Sequence, residues 1–252
     1  MVKRIKPRVN VYPNLADLSR AAAESIVDLA NNCVSRSGRF TLVLSGGSTP
    51  RVLYRLLARE YREEMPWSHT YLFWGDERFV RQDHLENNFG MAFKALISGV
   101  PMPPENIHPM LTTLNSPAQA ALHYEKILKD FFDWEHRTKN FSTFDLVILG
   151  VGGDGHIASL FPLDLALKEN ERWVVAVRAP FDYKIRNRIT LTLPALNSSK
   201  RVFFLASGEK KREVIKAILQ EEPAPSKYPA ALVNPLEEVI WFVDRKAFRE
   251  VN

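Results

Sequence analysis

Short apolar runs that lack polar alternation, separated by helical patterns, constrain this chain more than any other feature. They are Thr41–Leu44 (TLVL), Tyr71–Trp74 (YLFW), Phe144–Leu149 (FDLVIL), Trp173–Val177 (WVVAV), Ile189–Leu193 (ITLTL), Val202–Ala206 (VFFLA) and Val239–Val243 (VIWFV). A strand wetted on one face alternates apolar and polar residues. Several of these runs do not, so they read as strands buried on both faces. Val9–Tyr12 (VNVY) is a possible edge strand. Between the runs, residues 15–36 place Leu18, Ala22, Ile26, Leu29 and Cys33 on one helical face. Residues 50–62 carry Leu53, Leu56 and Leu57, and residues 87–98 carry Phe89, Phe93, Leu96 and Ile97. Residues 209–220 carry Val214, Ile215, Ile218 and Leu219. Ser116-Pro117-Ala118-Gln119 combines a capping box with a proline at the first helical position and predicts a helix to about Trp134. The alternation predicts an α/β fold with a mostly parallel sheet covered on both faces, as a single domain over residues 1–252. The proline-punctuated stretch 219–232 reads as a loop.

Composition bounds the function. The 34 basic and 29 acidic residues are interspersed and leave a net charge of +5, with no basic block and no series of stacking aromatics. That argues against nucleic-acid binding and fits a preference for small anions equally well. Cys33 is the only cysteine, so no disulfide can form within the chain and a reducing compartment is expected. Its place on an apolar helical face reads as a core thiol rather than a nucleophile. The basic N-terminus has no apolar core of a signal peptide, and no run approaches the ~20 apolar residues of a membrane span. The expectation is a cytoplasmic protein with no membrane or nucleic-acid partner.

In open α/β sheets, ligands bind beyond the carboxyl ends of the strands. The first such end is Leu42–Pro50 (LVLSGGSTP). Gly46 and Gly47 permit a sharp turn, Thr49 suits an N-cap, and Pro50 suits the first helical turn. The N–H groups of Ser45 to Ser48 and the helix dipole could then hold an anion such as a sugar phosphate. A plain tight turn accounts for the same residues. No Gly-Lys-Ser/Thr follows, so this is not a nucleotide P-loop. The second end is Leu72–Val80 (LFWGDERFV), whose Asp76, Glu77 and Arg78 form a solvated loop or project into a ligand crevice. The third is Phe144–Pro162, where Gly150, Gly152 and Gly155 match G-x-G-x-x-G. A dinucleotide is nonetheless disfavoured. Pro162 arrives seven residues later, Asp154 would repel a pyrophosphate, and the next strand ends in Arg178 rather than an acid. His156, two residues from Asp154, is either a satisfied structural histidine or a general base with its orienting carboxylate. Cations stand at Lys184, Arg186 and Arg188 before one strand, and at Lys210 and Lys211 at a helix start after another. Basic residues at a helix start are mildly unfavourable unless an anion is present. A solvated face is the alternative.

Together LSGGSTP, WGDERFV, NNFGMA, IHPM, LGVGGDGHIASLFP, RITLTLPALN, SGEKKREV and IWFVD, in order from about residue 11 to 248, resemble the glucosamine-6-phosphate isomerase/6-phosphogluconolactonase superfamily. Within it they resemble the lactonase branch. The resemblance implies a three-layer α/β/α domain with a Rossmann-like sheet, and neither metal nor organic cofactor. It also implies a small-molecule substrate, 6-phospho-D-glucono-1,5-lactone, opened in the pentose phosphate pathway. His156 would be the base that activates water, with Asp154 and Asp76 as its catalytic companions. The substrate would meet Ser45, Gly46, Gly47, Ser48, Glu77, Arg78, Arg188 and Lys211. The Gly152 and Gly153 N–H groups, or Arg78, would stabilise the oxyanion; the sequence does not choose. It says nothing of oligomeric state. Two positions depart from the pattern. Ile157 stands where many lactonases have threonine, as in the deaminases, and Leu163 stands where glycine is usual. The deaminase branch carries a functional glutamate at the position of Phe161, and loss of that acid argues against amino-sugar chemistry. The alternatives are a deaminase or isomerase and a non-catalytic sugar-phosphate sensor.

Overall fold

The computed structural model describes residues 4–132, 143–219 and 227–248. Nine strands and six α-helices are named in chain order. The strands are β1 (Arg8–Tyr12), β2 (Phe40–Leu44), β3 (Thr70–Trp74), β4 (Asp76–Arg78), β5 (Leu146–Leu149), β6 (Val174–Arg178), β7 (Asn187–Leu191), β8 (Arg201–Ala206) and β9 (Glu238–Asp244). The helices are α1 (Leu15–Ser37), α2 (Ser48–Arg59), α3 (Asn88–Ala95), α4 (Pro117–Phe131), α5 (Leu193–Asn197) and α6 (Arg212–Leu219). Six strands form one sheet in the order β1-β9-β8-β5-β2-β3. All its pairings are parallel. Every residue of β2 and β5 is buried, so both faces of the sheet are covered. This is the expected three-layer α/β architecture, and β1 is the edge strand read from Val9–Tyr12.

From β2 the chain moves outward to β3, then returns across β2 to β5 and continues in the other direction. The carboxyl ends of β2 and β5 therefore flank a topological switch point, where such sheets bind ligands.

A second sheet was not anticipated. Residues read as members of the main sheet, Trp173–Val177 and Ile189–Leu193, supply β6 and β7 of a separate antiparallel sheet ordered β4-β7-β6. Apolar content marks a strand but does not say which sheet it joins. Gly75 is the junction: its N–H donates to the Leu44 carbonyl and its own carbonyl accepts from Leu191. The charged triplet Asp76–Arg78 is thus a strand, not a loop.

Helix boundaries follow local chemistry. Asn14 caps α1 by accepting from the N–H groups of Ala16 and Asp17, and Gly38 closes it at φ +75°. Ser116 caps α4, with Pro117 in its first turn. The stretch beyond Phe132 up to Trp134, and residues 220–226 of the 219–232 stretch, lie outside the described residues. Residues 209–211 form a 3₁₀ turn before α6 rather than its first turn. α2 starts at Ser48 with Gly47 at the cap, two residues before the expected Thr49 cap. The core is continuous and aromatic-rich: Phe73 packs on Phe131, Phe132 and Phe144, and Phe204 stacks on Trp241.

Candidate active site

A cleft of about 190 Å³ opens at the switch point, between the turn after β2, the glycine loop after β5 and the end of β8. Its first wall is the turn Ser45 to Ser48. Tyr54 on α2 clamps it: the Ser45 N–H donates to Tyr54 Oη (2.8 Å), and the Tyr54 hydroxyl donates to the Ser45 carbonyl (2.9 Å). A Cβ at Gly46 would fall 2.0 Å from Asn88 Oδ1, so only glycine fits there. Gly47 is at φ +110°, and no side chain caps α2. The first turn of α2 therefore faces the cleft with uncapped N–H groups and the positive end of its dipole. Lys211 lies opposite, half-buried, with no carboxylate at ion-pair distance among the described residues. Burial pulls its pKa down, and the charge of Asp154 partly restores it. An uncapped helix start facing an unpaired ammonium is suited to an anion.

The second wall carries the histidine. His156 Nδ1 lies 2.6 Å from Asp154 Oδ1, and the same oxygen accepts from the His156 backbone N–H at 3.2 Å. The carboxylate cannot donate, so Nδ1 carries the proton and Nε2 is left as the basic nitrogen. Burial works to raise the Asp154 pKa, but its hydrogen bonds to His156 outweigh this and hold it below the usual carboxylate range. Gly152 is required here: a Cβ would lie 1.9 Å from His156 Nδ1. Phe161 packs on the imidazole at 4.9 Å, and Tyr183 meets it edge-on at 5.6 Å. Ala158, on the cleft wall, is held at φ +47°, a left-handed backbone that costs a non-glycine residue energy.

The third wall comes from β4. Successive side chains of a strand point to opposite faces. Asp76 and Arg78 face the cleft, whereas Glu77 turns into the core and is fully buried. Its carboxylate accepts from the N–H groups of Arg78 and Asn88 (2.7 Å each) and Phe89 (2.8 Å), so it anchors the start of α3. The expectation that Glu77 meets substrate is thereby corrected. Asp76 Oδ2 accepts from Ser159 Oγ (2.6 Å) and Oδ1 from Asn88 Nδ2 (3.2 Å). Arg78 donates to the carbonyl and carboxylate of Glu86, while its buried Nε has no partner among the described residues.

Three further expectations change. The Gly152 N–H donates to the His156 carbonyl at 2.8 Å and is not free for an oxyanion. Gly153 is exposed and stands outside the cleft wall. Arg188 is buried behind the wall, with Nη1 4.0 Å from Asp76 Oδ2 and its guanidinium 5.1 Å above the Tyr183 ring. It braces Asp76 and Tyr183 rather than facing the cleft. Ser45, Gly46, Gly47, Ser48, Asp76, Arg78, Gly152, His156 and Lys211 do converge on one cleft, with Asp154 directly behind His156. Ile157 is fully buried in the core, so its departure from threonine does not touch the cleft.

Sequence reasoning missed Tyr183, Ser159 and Asn88. Asn88 lies in the quoted NNFGMA motif without an assigned role, and Ser159 follows His156 by three positions. Tyr183 sits in a polar loop with no signal at all. Among the described residues, no group of three or more His, Cys, Asp or Glu is arranged to hold a metal ion.

The family model for glucosamine-6-phosphate isomerases/6-phosphogluconolactonase matches residues 13–241. A 6-phosphogluconolactonase of Synechocystis sp. is 38% identical over 241 residues, covering 96% of this chain and 97% of its own. That of Nostoc sp. is 35% identical over 248 residues, covering 98% and 100%. The crystal structure of 6-phosphogluconolactonase from Thermotoga maritima matches with a TM-score of 0.82 and 30% identity, over 95% of this chain and all of its own. The chain belongs to the glucosamine-6-phosphate isomerase/6-phosphogluconolactonase family.

Proposed function

We propose that this chain hydrolyses 6-phospho-D-glucono-1,5-lactone to 6-phospho-D-gluconate, the lactone-opening step of the pentose phosphate pathway. The observation that carries it is the His156–Asp154 pair beside an uncapped helix start and Lys211, which has no carboxylate partner among the described residues, in one cleft. The substrate phosphate sits on the Ser45–Ser48 turn and Lys211. His156 Nε2 takes a proton from water as the water oxygen bonds to the lactone carbonyl carbon. Asp154 stabilises the resulting imidazolium. Arg78, on the cleft wall, faces the developing oxyanion. When the tetrahedral intermediate collapses, the bond to the ring oxygen breaks and that oxygen takes the proton back from His156. A lactone is an activated ester, so no covalent enzyme intermediate is required. Asp76, held by Ser159 and Asn88, accepts a hydrogen bond from a sugar hydroxyl.

The histidine is flanked by Phe161, an apolar ring with no proton to give, which favours the lactone over amino-sugar deamination. A cytoplasmic setting suits a chain whose only cysteine is unpaired and buried, with burial pushing its pKa up to about 11. No helix among the described residues is long and apolar enough to cross a membrane.

Two measurements test this reading. The purified chain should accelerate loss of freshly generated lactone well above its spontaneous hydrolysis and release little ammonia from glucosamine 6-phosphate. Ammonia release at an equal or greater rate would overturn it. His156→Ala should lower kcat by about 10²-fold or more, the usual worth of general-base catalysis, while 6-phosphogluconate still binds. Asp154→Asn should lower kcat by a smaller but clear factor. A His156→Ala enzyme with wild-type kcat would show that the histidine is structural.

A further inference from the structure

Asp154 lies on the same loop as His156 and fixes which nitrogen carries the proton. It does not by itself fix the plane of the ring, because an imidazole can pivot about a single bond to one acceptor. A second contact comes from a different element. Tyr183, in the loop between β6 and β7, places Oη 3.1 Å from His156 Nδ1. Its ring also meets the imidazole edge-on and Phe161 at 5.1 Å, while the Arg188 guanidinium covers its ring. Tyr183 is therefore held on several sides. The Nδ1 proton has two oxygen acceptors from two loops, and the phenol hydrogen is left to face the Asp154 carboxylate. Burial and that carboxylate push the phenol pKa up, to about 12, so the hydroxyl stays protonated and keeps its donor.

We infer that Tyr183 is a positioning residue for the reaction: its hydroxyl, with Asp154, sets the orientation in which His156 Nε2 meets the attacking water. This rests on the reading of His156 as the base. Tyr183→Phe is the cleanest variant, since it keeps every ring contact and removes only Oη. We expect kcat for the lactone to fall by about five- to twentyfold, a partial loss of alignment. KM and the affinity for 6-phosphogluconate should stay within about twofold, and the melting temperature should be unchanged. In ¹⁵N spectra of the imidazole, the wild type should show a single Nδ1-protonated tautomer, and Tyr183→Phe should broaden that signal. Unchanged kcat and an unchanged imidazole spectrum in Tyr183→Phe, beside a His156→Ala enzyme that has lost activity, would overturn the role of Tyr183 and leave the base intact. Wild-type kcat in His156→Ala would overturn the base itself, and the role of Tyr183 with it.

Discussion

Leu163 holds its backbone at φ +63°, with its side chain 81% exposed. The left-handed region costs an L-residue roughly 1–2 kcal/mol, and a side chain in water recovers little by packing. Glycine is the residue usual here in the lactonase pattern, and the geometry supplies the reason. Leu163→Gly removes the strain but adds freedom to the unfolded chain, worth about 0.4–1 kcal/mol in the other direction. The expected result is a net gain of about 0.5–1 kcal/mol, read as a higher urea midpoint at unchanged slope. A lower midpoint would mean that Leu163 packs in a way its exposure does not suggest. Single residues also show how far a sequence can be read. Asp76, Glu77 and Arg78 look alike as a run of charges, yet two line the cleft and one caps a helix. What separates them is the pleat of β4, and a polar triplet gives no hint that it is a strand.

Glu77 acts on the scale of an element, because it ties β4 to the start of α3. The tie matters to the site: the first residue of α3, Asn88, touches both Gly46 of the anion turn and the Asp76 carboxylate. Glu77→Ala would leave three backbone N–H groups without acceptors, that of Asn88 buried and those of Arg78 and Phe89 part-buried, at up to about 1–3 kcal/mol each before water enters. A loss of about 3–5 kcal/mol in unfolding free energy is expected by urea titration, with a raised KM as the anion turn loosens. The same carboxyl gives a pH dependence. Burial pushes its pKa up to about 8 from 4.5, against the pull of its three N–H donors. A folded pKa above the unfolded one means that the folded chain binds the proton more tightly. The stabilisation is therefore complete below about pH 4.5 and is lost as pH rises through about 8. Stability should thus be lower at about pH 9 than at about pH 6, and Glu77→Gln should flatten that part of the curve. An identical slope in the variant would assign the effect to other groups. The main parallel sheet was legible from its apolar runs and intervening helices. The small antiparallel sheet was not, because β6 and β7 are as rich in β-branched residues as the core strands and the strand that completes it, beside β7, is the charged β4.

At the scale of the molecule, the cleft exists because strand order reverses between β2 and β5. That reversal brings Ser45 together with His156 and Lys211, each more than a hundred positions further along the chain. The motifs that meet there could be picked out along the chain, since each is an unusual residue set at a strand end. Their distances could not, since these depend on which strands become neighbours. The charge of the whole chain is only +5, so long-range attraction of a dianionic substrate is modest and the local anchor must do most of the binding. Salt should separate the two. The Debye length shrinks from about 30 Å at 0.01 M to about 8 Å at 0.15 M, which screens the distant charges and leaves contacts inside the cleft largely intact. KM for the phosphorylated lactone should therefore rise only a few-fold over that range, while unphosphorylated gluconolactone shows no trend. Lys211→Ala removes a charged contact worth about 1.5–3 kcal/mol, so at constant salt it should lower kcat/KM for the phosphorylated lactone at least about tenfold. For the unphosphorylated lactone the loss should be small. Equal losses on the two substrates would move the phosphate away from Lys211 and require another cation, with Arg78 the next to be changed.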